Sequence, residues 1–239
     1  PQLKNGKRIA CVGAGCASLT VANDLLPLGY EITMFEQWGQ AGGLMRTNIP
    51  SFRLPAQVLN EEIAMIVDRG VDLQLGARIE SMQKLLSDGG FDAVFVGTGA
   101  PKGKELDLPG RKEGTANIHV GIDWLESLAF GHVDSIGKRV LIIGVGNTAM
   151  DCCRSSLRLG AADVKVMARK PRQYFKASAW ELEDAEEERV EIVVNHSPRR
   201  FVLENGRLTG MVFDVLEYEL DAAGRITSER VLREEFIAA

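Results

Sequence analysis

The feature that most limits what this chain can fold into is an internal echo. Gly6-Lys7-Arg8-Ile9-Ala10-Cys11-Val12-Gly13-Ala14-Gly15 is matched in kind by Gly137-Lys138-Arg139-Val140-Leu141-Ile142-Ile143-Gly144-Val145-Gly146. Each copy has a basic lead-in, a short apolar run and then G-x-G. A continuous apolar run is how a strand buried on both faces of a parallel sheet reads. Each copy leads into a helical stretch and a further apolar run, Glu31–Glu36 in the first and Asp163–Ala168 in the second. Each is therefore a βαβ unit. The copies stand about 131 residues apart, far beyond the roughly 20–50 residues of repeat arrays, so they mark two similar domains.

Other segments fill in around this frame. A helix is expected from about Pro55 to Arg69, with Ile63, Ile66 and Val67 on one face, and short strands at Asp72–Leu75 and Phe91–Val96. The last of these runs into the turn Gly97-Thr98-Gly99. Pro101 to Gly114, rich in Lys, Gly and Pro, is the expected linker. Ala179–Arg189 reads as a polar helix whose acidic run forms a solvated face. Beyond Val190 the pattern turns to strands. Asn205-Gly206 between apolar runs marks a hairpin, Gly210–Tyr218 alternates, Asp221–Gly224 is a turn, and Phe236–Ala239 reads as a strand just beginning.

Composition narrows the function classes. At 239 residues, 45% hydrophobic and 26% charged, the chain is ordinary for a globular protein with a sizeable core. A net charge of −5 argues against nucleic acid as the main partner, since phosphate binding favours a basic patch. No apolar run approaches the roughly 18 residues of a membrane span, and no secretory leader is visible. The expected location is cytoplasmic, with no membrane partner. The sequence opens on Pro1 and is expected to be a piece of a longer chain. Its four cysteines, Cys11, Cys16, Cys152 and Cys153, form no C-x-x-C pair, so neither a zinc site nor a redox dithiol is expected.

The two glycine turns carry the chemistry. Gly13-Ala14-Gly15-Cys16-Ala17-Ser18 fits G-x-G-x-x-[G/A/S]. Gly13 permits the tight turn, Gly15 lets a pyrophosphate approach the backbone, and small Ser18 allows close helix–strand packing. The helix that opens there aims free N–H groups and its positive dipole end at the phosphates. Glu36 closes the next strand, where a carboxylate accepts ribose hydroxyls. Gly144-Val145-Gly146-Asn147-Thr148-Ala149 repeats the fingerprint. After its second strand stand Arg169 and Lys170. Two cations there suit the 2′-phosphate of NADP, whereas a free 2′-hydroxyl would favour Asp or Glu.

Longer motifs resemble one family. Gly42-Gly43-Leu44-Met45 followed by Ile49-Pro50-Ser51-Phe52-Arg53-Leu54-Pro55 is similar to the GGLL…GIPxFRLP signature of the glutamate synthase small (beta) subunit family. Gly146-Asn147-Thr148-Ala149-Met150-Asp151-Cys152 resembles its GGNTAMDC motif, and Leu108-Pro109-Gly110 and Arg169-Lys170 fall in the same order. The resemblance implies an α/β fold of two Rossmann-like, three-layer nucleotide-binding domains. The NAD(P)H domain (105–239) would be inserted in an FAD domain whose first part is 1–104, with a β-hairpin or meander near the C-terminus. It implies a flavoenzyme in which NADPH, with NADH as the alternative donor, gives hydride to FAD, and electrons pass on to iron–sulfur centres.

By the same resemblance Glu36 and Gln37 meet the FAD ribose and adenine side. Gly43, Leu44 and Arg46 run along its pyrophosphate and ribityl part, Ile79 lies by the adenine, and Thr98 and Gly99 lie beside the FAD. With Gly13, Ala14, Gly15, Cys16, Ala17 and Ser18 at the first turn, and Gly144, Gly146, Asn147, Thr148, Arg169 and Lys170 at the second, this is the expected cofactor set. No nucleophile or acid/base pair is expected, because such cofactors carry the chemistry themselves. The implied partner is a glutamate synthase large subunit or another iron–sulfur oxidoreductase subunit.

The resemblance has departures. Family members carry a cysteine-rich, cluster-binding N-terminal region and a C-terminal Gly-Asp segment that completes the FAD site. Neither is in this sequence, so iron–sulfur clusters are expected only outside it. Cys16 stands where the family has Pro. Other readings are an electron-input subunit of a formate-, aldehyde- or ferredoxin-linked complex, a pyridine nucleotide–disulfide reductase, which would need a redox cysteine pair, and a nucleotide-sensing regulatory module.

Overall fold

The computed structural model describes residues 3–239. The chain divides into two units, Pro1–Pro101 and Lys102–Ala239.

In the first unit Arg8–Val12 forms β1, and Ile9, Ala10, Cys11 and Val12 are all buried. Both faces are covered, which is why the run is apolar without alternation. The chain continues through α1 (Cys16–Leu25), β2 (Glu31–Glu36), α2 (Leu44–Thr47), α3 (Ala56–Val67), β3 (Asp72–Leu75), α4 (Met82–Asp88) and β4 (Ala93–Val96). The four strands make one sheet in the order β3-β2-β1-β4, with every pair parallel. Val12 lies level with Phe35 on one side and Val96 on the other. Ile9 and Cys11 join Leu19 and Ala22 of α1, Ile32 and Met34 of β2, and Leu59 and Ile63 of α3 in one buried cluster.

The helix expected from Pro55 starts at Ala56, with Pro55 as its N-cap residue, and ends at Val67. The expected strand Phe91–Val96 begins only at Ala93. Asp92, just before β4, is engaged with the start of the neighbouring β1 instead, accepting from the Arg8 N–H at 2.8 Å and pairing with Lys7 at 2.8 Å.

The second unit contains α5 (Gly121–Ala129), β5 (Arg139–Ile143), α6 (Asn147–Arg158), β6 (Asp163–Met167), α7 (Ala179–Glu187) and β7 (Glu191–Val193). The strands pair in parallel in the order β5-β6-β7. Then come β8 (His196–Glu204), β9 (Arg207–Leu220) and β10 (Ile226–Ala238), an antiparallel sheet with β9 in the middle. Period-2 alternation separates the layers. Val140 and Ile142 of β5 pack with Val164 and Val166 of β6 against Ala149, Met150 and Cys153 of α6. Leu141 and Ile143 turn the other way, to Met167, Phe201, Met211 and Phe213. The unit has three layers: helices, a parallel sheet, and the antiparallel meander in the place of a second helical layer.

Several expectations shift here. The expected linker is not all linker, because Leu106 and Leu108 pack into the Phe201–Phe213 cluster and Phe201 N–H donates to Pro109 O at 2.9 Å. The acidic helix α7 does not solvate all its carboxylates: Glu181 is 1% exposed, because it lies on the same face as Leu182 and Ala185. Phe236–Ala238 ends a 13-residue strand and does not begin one. The Asn205-Gly206 hairpin joins β8 to β9 with φ of 52° and 77°, the two positive values that a type I′ turn requires.

An ion-pair network joins α6 to α7. Buried Arg154 pairs with Asp184 at 2.8 Å and with Glu188 at 2.9 Å, and Arg158 reaches Glu188 at 2.6 Å. The hydrogen bond from Arg158 holds the Glu188 carboxyl below its ordinary 4.5; burial works against this and Arg154 reinforces it. The fold thus prefers the ionised form. Its stabilisation is full above about pH 4.5 and is lost as pH falls through the lower folded value. Glu188→Gln is expected to cost about 1 kcal/mol at pH 7 and to flatten the fall in Tm between pH 6 and pH 3.5. An acid limb as steep as the parent's would contradict this role.

Candidate cofactor sites

In the first unit the carboxyl ends of all four strands converge on one edge, and the strand order reverses beside β1. Open α/β sheets place ligands at such an edge. Gly13 leaves β1 with φ +94°, and its N–H donates to Phe35 O at 2.8 Å. A Cβ at Gly13 would sit 2.5 Å from Gly97 O. Gly97, just past β4, packs in turn on Ser18: a Cβ there would lie 2.2 Å from the Ser18 hydroxyl oxygen. Ser18, fully buried, is the small residue that lets α1 approach the sheet.

Gly15 is the N-cap of α1. Its missing side chain leaves open space, with Gly43 Cα as the nearest heavy atom, 3.9 Å from where a Cβ would stand. The first intrahelical bond runs from Leu19 N–H to Gly15 O at 3.1 Å, so the N–H groups of Cys16, Ala17 and Ser18 precede the helical ladder. Cys16, exposed, occupies the first helical position, where proline is favoured because no N–H is needed. A Pro, the residue the resemblance implies at this place, would fit the same backbone position.

Glu36, 5% exposed, closes β2. One carboxylate oxygen accepts from the Ala14 N–H at 2.9 Å and the other from the Trp38 N–H at 3.0 Å. Each oxygen keeps a lone pair for a further donor such as a ribose hydroxyl. Gln37 follows, exposed. Gly42 N–H donates to Ala14 O at 2.8 Å, and a Cβ on Gly43 would lie 2.9 Å from Gly15 Cα. The double glycine is thus pressed against the first turn. Leu44 begins α2 and is 38% exposed.

Arg46 donates to Ala41 O and to Asn60 Oδ1, both at 2.6 Å, which fastens this loop to α3. Burial pulls its guanidinium pKa down. Ala77 N–H donates to Glu36 O at 2.8 Å, and half-buried Ile79 follows two residues later. Thr98 and Gly99 are exposed at the end of β4. Among the expected residues, then, Gly13, Ala14, Gly15, Ser18, Glu36, Gly43 and Thr98 come together directly.

The second unit repeats the turn. Gly144 has φ +112°, its N–H donates to Met167 O at 3.0 Å, and Gly146 is the N-cap of α6. Nothing lies within 4 Å of where a Cβ would stand on either glycine, so the backbone is open to an approaching group. Asn147 Oδ1 accepts from the Ser178 N–H at 3.0 Å, and Asn147 Nδ2 donates to Ser178 Oγ at 3.4 Å. Lys176 and Ala177 N–H both donate to Val145 O. Thr148 is exposed in the first turn of α6.

Arg169 and Lys170 follow β6 and are exposed. The Lys170 ammonium stands 5.7 Å from the centroid of the Tyr174 ring. Arg169 pairs with Glu229 of β10 at 2.7 Å, and Arg169 O accepts from the Tyr218 hydroxyl at 2.6 Å. The hydrogen bond that Arg169 donates to Glu229 raises the Arg169 pKa further. Sequence reading missed Asn60, Ser178, Tyr218 and Glu229, because each meets its partner across a long stretch of chain and no local pattern announces it.

No pair among the cysteines is bonded. Burial pushes Cys11 up to about 11 and Cys153 up to about 12, and raises Cys152 as well. These thiols stay protonated near neutral pH and unreactive.

The pyridine nucleotide-disulphide oxidoreductase family model matches residues 7–232. The chain belongs to this family. A structure of Mycobacterium tuberculosis FprA in complex with NADPH superposes with a TM-score of 0.82 at 16% identity, covering 98% of this chain and 69% of that one. That likeness concerns the fold, two Rossmann-like units.

Among curated relatives, the beta subunit of the NADP(+)-dependent formate dehydrogenase of Moorella thermoacetica is 38% identical over 87% of this chain and 30% of its own length. The beta subunit of the NADPH-Fe(3+) oxidoreductase of Geobacter sulfurreducens is 35% identical over 99% of this chain and 36% of its own. The glutamate synthase [NADPH] small chain of Azospirillum brasilense is 31% identical over 99% and 51%. The chain spans about a third of the length of the first two relatives. Like them it belongs to an oxidoreductase family, and no helix among its described residues is long and apolar enough to cross a membrane.

Proposed function

We propose that this chain is the nucleotide-binding core of a cytoplasmic, NADPH-dependent flavin oxidoreductase subunit. Residues 1–104 would hold FAD and residues 105–239 NADPH. The observation that carries the reading is the pair of strand–glycine–helix edges with opposite closing groups: a buried carboxylate, Glu36, at the first, and exposed cations, Arg169 and Lys170, at the second. The carboxylate suits an unphosphorylated ribose and the cations a 2′-phosphate.

At the first edge, Gly13 and Gly15 bring backbone to a pyrophosphate, the N-terminus of α1 neutralises it, and Glu36 receives the ribose hydroxyls. Gly43 keeps the second loop clear of that path, and Arg46 holds the loop in place. At the second, Gly144 and Gly146 present the N-terminus of α6 while Arg169 and Lys170 select the phosphate. The flavin, when bound, supplies the hydride acceptor and the step from two-electron to one-electron transfer. Electrons would then leave for the iron–sulfur centres of a partner. Identity is higher to the formate dehydrogenase subunit (38%) than to the glutamate synthase small chain (31%). The partner is therefore assigned as a class, an iron–sulfur oxidoreductase subunit, of which the glutamate synthase large subunit is one member.

The full-length protein is expected to carry flavin and to reduce an artificial electron acceptor with NADPH. In the double variant Arg169→Ala/Lys170→Ala, the KM for NADPH should rise about tenfold or more while that for NADH moves less than about twofold, as loss of a charge-assisted phosphate contact requires. Equal changes for both donors would sink the assignment, and an absence of NADPH oxidation would favour a sensing module.

A further inference from the structure

The residues directly after β6, Ala168, Arg169 and Lys170, include no carboxylate. The fold supplies one from elsewhere. The β9–β10 hairpin lies against the loop that follows β6, held by the Tyr218 hydroxyl on Arg169 O at 2.6 Å and by the Tyr174 hydroxyl on Gly224 O. In the β9–β10 register Glu229 stands directly opposite Tyr218, and its carboxylate pairs with the Arg169 guanidinium at 2.7 Å. Both side chains remain about half exposed, at 55% and 44%, so the pair is accessible to a ligand from solvent.

A cation and a carboxylate at this place read opposite nucleotides. Arg favours a 2′-phosphate, while Asp or Glu accepts a hydrogen bond from a free 2′-hydroxyl and repels the phosphate. We infer that Glu229 is a specificity-determining residue of the second site, occupying the anion position on Arg169 and narrowing the preference for NADP over NAD. An arriving 2′-phosphate must displace this carboxylate from the guanidinium, whereas a 2′-hydroxyl can donate to it. The inference rests on the assignment of Arg169 to the 2′-phosphate.

The test is calorimetric binding to the whole chain, with no turnover involved. NADP+ and NAD+ are compared, and then adenosine 2′,5′-bisphosphate and 5′-AMP, which report on the adenosine end alone. Glu229→Gln keeps the size and one acceptor but removes the charge. It is expected to raise the ratio Kd(NAD+)/Kd(NADP+) by about threefold to fivefold, the upper part of the range that a partly exposed ion pair spans, and to move the bisphosphate/AMP ratio likewise. Glu217→Gln is the control. It removes the same charge from the adjacent strand position, which points to the other face of the sheet, and should leave both ratios within about twofold.

Arg169→Gln separates this inference from the reading beneath it. If it abolishes the NADP preference and Glu229→Gln raises that preference, both stand. If it abolishes the preference while Glu229→Gln changes the ratio by less than threefold, or lowers it, the assignment of Arg169 stands and the role of Glu229 is overturned. An equal effect of Glu217→Gln overturns that role too. If Arg169→Gln leaves the ratio unchanged, the phosphate assignment falls and takes this inference with it.

Discussion

Replacing Gly13 with Ala is expected to destabilise the first unit by about 3 kcal/mol and to abolish flavin retention. Two costs combine. At φ +94° an L-residue is strained, by roughly 1–3 kcal/mol. The new methyl would also stand 2.5 Å from Gly97 O and 3.3 Å from Thr98 Cα, both backbone atoms, so relief requires moving the end of β4 away from β1. Crowding of this kind costs about another 1–3 kcal/mol. Urea unfolding followed by near-UV circular dichroism, together with the flavin-to-protein absorbance ratio of the full-length protein, would measure both effects. A loss under about 1 kcal/mol with flavin retained would show that the turn tolerates a side chain, contrary to the geometry.

Phe213→Ala is expected to cost the second unit about 3–5 kcal/mol, the usual range for a buried phenylalanine truncated to alanine. Phe213 is fully buried in the central strand of the meander. It shares a cluster with Met167, Phe201 and Met211, lined further by Leu141 and Ile143 of β5 and by Leu106 and Leu108. A cavity there would loosen the seam between the parallel sheet and the meander. It would also loosen the seat of the hairpin that carries Tyr218 and Glu229. Thermal unfolding read by circular dichroism should show a markedly lower transition, and Phe213→Leu should recover much of it. A wild-type midpoint for the alanine variant would mean that the meander is not part of this unit's core.

Much of this was legible in the sequence because the physics was local. A strand buried on both faces writes an unbroken apolar run, and a tight turn into a helix writes G-x-G. The unbroken apolar run of β1 was readable for that reason; the bounds of β2 and of the exposed edge strand β3 also matched the expected runs, and Asn205-Gly206 announced its own hairpin. Helix α5 gave no such signal: its N-cap is Val120, with no polar capping side chain to mark a start. The burial of Glu181 was hidden because acidic runs usually face water. The packing of Leu106 and Leu108 was masked by the Lys, Gly and Pro around them.

At the sites, the turns and Glu36 were visible, since spacing along one βαβ unit fixes them. The partners of Asn147 and Arg169 were not, because Ser178 and Glu229 reach them only through tertiary folding. The position after β6 looked purely cationic in sequence and is a cation–carboxylate pair in space.

The clamp on the second turn has a consequence for energetics. Val145 O receives two N–H groups from residues 176 and 177, and Asn147 is bonded both ways to Ser178. A dinucleotide bound at Gly144–Thr148, as proposed, would thus meet a loop whose shape is already set. Ordering a free backbone residue costs roughly 1–2 kcal/mol, and none of that must be drawn from the contacts the ligand makes. The preorganised turn would remove that ordering cost, so a larger share of those contacts would remain as affinity after the rigid-body and desolvation costs of association.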